Sequence, residues 1–191
     1  MDDDDRKGAG LHKPDEFAPA FGLYREALAQ VRAAERFHDS ERPDARLRES
    51  DAAAAAIILT QASLESWVKT VCNGADIDTS RVNWIQCWRD SLPDAVCAPG
   101  ADPDVKSGPQ RWAILDMLND LRNYLAHGDK KARDKVRRAL PDVMPLDVLT
   151  KDVAFLFVYE ANIWFEYGMA LTGLLAPTRS LLLEMSPGLL D

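Results

Sequence analysis

The sequence predicts an all-α fold, a single helical bundle of about five to seven helices, and three observations carry that prediction. Apolar residues recur at helical intervals through most of the chain, no alternating strand pattern of useful length appears, and the composition is that of an ordinary soluble domain. Hydrophobic residues make up 47% and charged residues 28% of the 191 positions, which disfavours both wholesale disorder and a membrane-embedded fold. That length is enough for one domain with a real core.

The opening "MDDDDRKGAG" is acidic and without periodicity, so residues 1 to 16 are set apart as a tail and residues 17 to 186 as the helical domain. The first helix lies in "EFAPAFGLYREALAQVRAAERF", where Phe21, Tyr24, Leu28 and Val31 share one face. After "SERPDARLRES" comes a long helix from Asp51 to Cys72, rich in Ala, Leu and Ile, with Asn73-Gly74 as its stop signal. Ser80 is the expected cap of a short third helix that carries Val82, Ile85 and Trp84 or Trp88 on its apolar side. Residues 91 to 109 contain four prolines and two glycines, which breaks any regular pattern and predicts a surface loop.

Helical spacing resumes from Arg111 with Ile114, Leu118, Leu121 and Leu125, and Gly128 stands where helices commonly end. The final segment, 153 to 176, is apolar around every side and ends before Pro177. Glu160, Asn162 and Glu166 within it argue for a central buried helix rather than a membrane span. Trp67, Trp84, Trp88, Trp112 and Trp164 are expected in the core and at interfaces.

Charge is distributed unevenly. The net charge of -8 argues against a general polyanion binder, yet residues 111 to 140 hold eight of the 23 Lys/Arg and only four of the 31 Asp/Glu. Cys72, Cys87 and Cys97 are odd in number, lack C-x-x-C spacing and have no histidine near them, so neither a disulfide framework nor a zinc site is indicated. A reducing cytoplasm fits that usage best, and no basic start leads into an apolar signal core.

The chemistry-bearing string is "RNYLAHG", in which Arg122, Asn123 and His127 form R-N-x-x-x-H at the end of a helix. Cleaving RNA without a metal needs a group that moves the 2′-hydroxyl proton and a group that stabilises charge on the phosphoryl oxygens. An imidazole exchanges protons near neutral pH, and a guanidinium offers a planar fork of donors to phosphate. Asn123 is placed to orient the histidine or to hydrogen-bond a substrate. On a regular helix, positions 122 and 127 lie roughly 140° apart. Convergence on one phosphate is therefore expected only if the helix unwinds at Gly128 or a second copy completes the site.

With this motif, and with its order of a long helix, a variable middle, a motif helix and a long apolar helix, the chain resembles the HEPN superfamily of compact helical domains over about residues 20 to 176. The resemblance implies a HEPN-like bundle and a metal-independent endoribonuclease of the kind found in toxin–antitoxin and abortive-infection (antiphage defence) systems. It implies a homodimer whose motif helices face each other, RNA as substrate, an antitoxin or regulatory partner protein, and no metal or cofactor. It implies equally a non-catalytic alternative, a HEPN-like module for nucleotide binding, protein interaction or dimerisation.

Two further sets of residues attach to this reading. Lys130, Lys131, Arg133, Lys135, Arg137 and Arg138 follow His127 directly; they are expected either to hold flanking phosphates or to form a solvated face or a contact for an acidic partner. Glu65 falls in the apolar sector of Ile57, Leu64, Val68 and Cys72, where a carboxylate is rare unless paired. HEPN domains often carry an acid on that helix, so Glu65 is expected to buttress Arg122 or tune His127, or else to reach solvent from the boundary. His12 and His38 are given no role.

Overall fold

The computed structural model describes residues 14–74, 77–80, 83–90, 109–139 and 149–172. Those residues form an all-α bundle of six helices with no strand among them: α1 (Ala18–His38), α2 (Ala45–Gly74), α3 (Trp84–Asp90), α4 (Pro109–His127), α5 (Lys130–Ala139) and α6 (Lys151–Thr172). A 3-10 turn, Pro14–Phe17, leads into α1 and places Phe17 in the core, so regular structure begins inside the segment that the sequence sets apart as tail. The expected Pro/Gly-rich loop, except Pro109, falls outside the described residues, as do Val82, Cys97, Pro177 and the expected end of the domain at 186.

The α1–α2 pair is the main frame of the bundle. Ala20, Ala27 and Ala34 recur every seven residues on α1 and are buried, as are Ala52, Ala53 and Ala56 on α2. Small side chains at that spacing let two helix backbones approach closely. Tyr24, Leu28 and Val31 fill the same α1 face, and the Tyr24 hydroxyl donates to the Val158 carbonyl at 3.3 Å, fastening α1 to α6. The start of α6 is held to α2 by two further bonds, Leu149 N–H to Ser50 Oγ at 3.1 Å and Lys151 N–H to Glu49 Oε1 at 3.0 Å.

Three features differ from the sequence reading. Helix α2 begins at Ala45 rather than Asp51, because the Asp44 carbonyl accepts the Arg48 N–H and the Asp44 carboxylate bonds Arg48 Nε at 2.6 Å, building a first turn from residues that read as solvated linker. The cap of α3 is Asn83, whose Oδ1 accepts the Ile85 N–H at 2.9 Å, while Ser80 belongs to an Asx turn on Asp78. Helix α6 is not buried all round. Ala154, Phe157, Val158, Ala161, Trp164 and Phe165 face the core, whereas Leu156 and Tyr159 are 46% and 45% exposed. Helices α1, α2 and α4 pack against it, and Trp88 of α3 meets its Trp164.

The aromatic core runs across four helices: Trp67 of α2 lies 4.9 Å from Trp88 of α3, Trp88 is 4.9 Å from Trp164 of α6, and Trp164 is 4.7 Å from Trp112 of α4. Beside this ladder, the sulfurs of Cys72 and Cys87 meet at 2.7 Å with both residues fully buried, a pairing between α2 and α3 that the cysteine spacing does not announce. Burial first, and then the neighbouring Cys87, push the Cys72 thiol up from its ordinary range. No described helix is long and apolar enough to cross a membrane.

Candidate functional site

The site is built at the corner between α4 and α5. Leu115, Leu118 and Leu121 bury the inner face of α4, which turns the following residues of its last turns toward the surface. The helix stops at Gly128, whose φ of +66° lies in the left-handed region and whose N–H donates to the Tyr124 carbonyl at 2.8 Å. Asp129 then caps α5, its Oδ1 accepting the N–H groups of Lys131 at 2.8 Å and Ala132 at 3.3 Å. Two residues thus reverse the chain and leave His127 at an exposed helix end. A Cβ at position 128 would meet no atom within 4 Å, so Gly128→Ala costs only the backbone penalty of the left-handed conformation. That penalty is about 1–2 kcal/mol, and urea unfolding is expected to show it.

Arg122 and His127 meet within one chain. Arg122 Nη1 lies 3.1 Å from His127 Nε2 and 2.9 Å from Asn123 Oδ1. The two side chains meet although α4 remains helical through His127 and departs from helical backbone only at Gly128. Helical side chains lean toward the N-terminus, so the ring of the last residue tilts back over the preceding turn, and the long arginine stem covers the remaining distance. A guanidinium carries no acceptor. The contact is a hydrogen bond where Nε2 offers a lone pair to the guanidinium.

Asn123 has the orienting place that the sequence offers it, but toward the arginine rather than the histidine. Its Oδ1 holds the same nitrogen that touches the imidazole. The Nε of Arg122 is buried without a hydrogen-bond partner, so the stem is packed while the fork reaches the surface.

Glu65 stands apart from this trio in its hydrogen bonds. Its carboxylate takes Lys69 Nζ at 2.6 Å and Gln61 Nε2 at 2.9 Å, both from its own helix, and its side chain keeps 30% of its exposure. Burial pushes its pKa up, but the bonds from Lys69 and Gln61 and the fields of Lys69 and Arg122 outweigh that and leave it below the usual range. Arg122 is thus felt across the α2–α4 packing as a field and not as a bond. Of the two roles expected beyond solvent contact, Glu65 shows no direct contact with His127 that would tune it.

The basic run divides. Ala132 and Val136, one turn apart, bury the inner face of α5. Lys135 bridges to Asp120 on α4 at 3.2 Å, Arg133 lies over the Tyr124 ring at 5.7 Å, and Arg138 Nε donates to the Asp134 carbonyl at 3.1 Å. Lys130, Lys131 and Arg137 stay exposed beside the corner. No group of three or more His, Cys, Asp or Glu converges among the described residues in a way that would hold a metal ion.

A second constellation lies elsewhere and has no sequence signal. His38 Nδ1, at the end of α1, meets the buried Glu49 Oε1 at 3.1 Å. Eleven residues and a helix boundary separate the two, and only the fold joins them. Compared with known protein families, with curated proteins and with solved structures, the chain matches none.

Proposed function

We propose that the protein is a metal-independent endoribonuclease of the HEPN type, with His127 and Arg122 as its catalytic pair. The observation that carries this reading is the 3.1 Å approach of a guanidinium to Nε2 of an exposed imidazole at a helix end. An RNA phosphate entering the corner takes over the donors of Arg122 and frees Nε2. The freed nitrogen removes the proton of the 2′-hydroxyl, whose oxygen attacks the adjacent phosphorus. The P–O5′ bond breaks, the imidazolium returns its proton to the departing 5′-oxygen, and the products are a 2′,3′-cyclic phosphate and a 5′-hydroxyl. Arg122 holds the charge that builds on the non-bridging oxygens.

Asn123 positions the guanidinium in this scheme. Lys130, Lys131 and Arg137 supply sites for flanking phosphates, and the acidic remainder of the chain confines RNA to this corner. The exposed Leu156 and Tyr159 of α6 supply an apolar surface for a homodimer. A toxin or antiphage-defence role under an antitoxin or other regulatory partner follows the HEPN resemblance of the R-N-x-x-x-H string.

One observation favours the second reading, a non-catalytic nucleotide-binding or interaction module. Among the described residues the only hydrogen bond His127 makes is to Arg122, so the pair is already satisfied and serves as a helix-end contact. Structured RNA and the matching DNA incubated with the protein in excess EDTA separate the two. The enzyme reading expects cleavage of RNA alone, with cyclic-phosphate ends; magnesium dependence or DNA cleavage counts against it, and saturable nucleotide binding without turnover favours the module.

A further inference from the structure

Away from the α4–α5 corner, the end of α1, the 39–44 connection, the start of α2 and the start of α6 enclose a pocket of about 650 Å³. Its volume falls in the range of small-molecule sites. Arg42, Arg46 and His38 line it, together with Glu41, Glu49 and an apolar portion from Phe37 and Pro43. None of these residues belongs to the candidate catalytic corner.

The charges in this pocket are committed unequally. Glu49 is 5% exposed, and its Oε1 is shared by His38 Nδ1 at 3.1 Å and the Lys151 N–H at 3.0 Å. Since a carboxylate only accepts, Nδ1 carries the proton and the ring is fixed with Nε2 left over. Arg42 and Arg46 make no side-chain hydrogen bond or ion pair among the described residues, although the field of Arg42 reaches the exposed Asp44 carboxylate. Glu41 is the one exposed acid on the rim. The lining therefore offers two uncommitted guanidinium forks and an oriented imidazole beside an apolar wall.

We propose that this pocket binds an organic phosphate monoester, its phosphoryl group between Arg42, Arg46 and His38 and its carbon portion against Phe37 and Pro43. A monocarboxylate would leave one fork unmatched. A phosphate monoester, with a charge of about -1.5 to -2 near neutrality, matches both forks and sets an oxygen beside the ring of His38, whose Nδ1 faces Glu49.

The test uses the full chain and phenyl phosphate as probe, with benzoate and inorganic phosphate as comparators at equal ionic strength, followed by calorimetry. The expected result is one site per chain with a dissociation constant below about 1 mM. Affinity is expected to fall about tenfold or more in Arg42→Ala and in Arg46→Ala, and to stay unchanged in Arg122→Ala. Both pocket arginines are exposed, so these variants fold. No saturable binding, binding indifferent to Arg42 and Arg46, equal binding of benzoate, or loss in Arg122→Ala would each overturn the proposal; the last would move the ligand to the motif corner. The outcome is independent of whether the protein cuts RNA.

Discussion

Replacing His127 with alanine is expected to lower RNA cleavage in EDTA by about 10²–10⁴-fold, the contribution usual for a positioned acid–base group. The fold is expected to stay intact, because the ring is exposed and its only hydrogen bond among the described residues is to Arg122. Arg122→Ala is expected to fall as far, and Arg122→Lys nearly so. An ammonium is a point donor at the end of a flexible stem, and it cannot reproduce a planar fork that meets Asn123 Oδ1 and phosphate oxygens together. The double variant is expected to be little worse than either single one, since proton removal and charge stabilisation act on one transition state. Single-turnover rates on a defined oligoribonucleotide, with circular dichroism as a control for folding, give the comparison. A His127→Ala protein that keeps more than half of the wild-type rate would remove the imidazole from the mechanism.

The sequence makes the C-terminal end of α4 legible for a physical reason: a glycine at the left-handed position after an apolar period is a stop that few other residues can supply. The Asn73-Gly74 signal coincides with the last described residues of α2. The start of α2 is missed, because Asp44, Arg46, Arg48 and Glu49 look like solvated linker until the Asp44–Arg48 bond and the burial of Glu49 are seen. At the candidate site the motif residues are legible and their convergence is not. A helical wheel records the directions of Cα–Cβ bonds, whereas the meeting of Arg122 and His127 depends on the length of one side chain and the backward lean of another. Nor does periodicity tell which side of an apolar helix its neighbours cover, which is why Leu156 and Tyr159 read as core and stand exposed. The His38–Glu49 pair is a product of tertiary packing alone.

The largest stability effect is expected at Trp88. It is fully buried in α3, with Trp67 on one side at 4.9 Å and 33° between the ring planes and Trp164 on the other at 4.9 Å and 74°. Trp88→Ala removes the middle of a ladder that reaches through Trp164 to Trp112 at the beginning of the motif helix. A loss of about 3–5 kcal/mol is expected for such a truncation, a large share of the roughly 5–15 kcal/mol available to a domain. The indole Nε1 has no acceptor among the described residues, so it contributes no hydrogen bond that the loss would have to include. Trp88→Phe tests this directly. It keeps an aromatic ring between the two neighbours and deletes the unpaired donor, whose desolvation costs about 1–3 kcal/mol; it is expected to recover most of the deficit of the alanine variant. Urea midpoints for the three proteins decide the matter. If Trp88→Phe is as unstable as Trp88→Ala, the volume of the indole, and not the aromatic contacts at its two faces, is what braces α4 against the rest of the bundle.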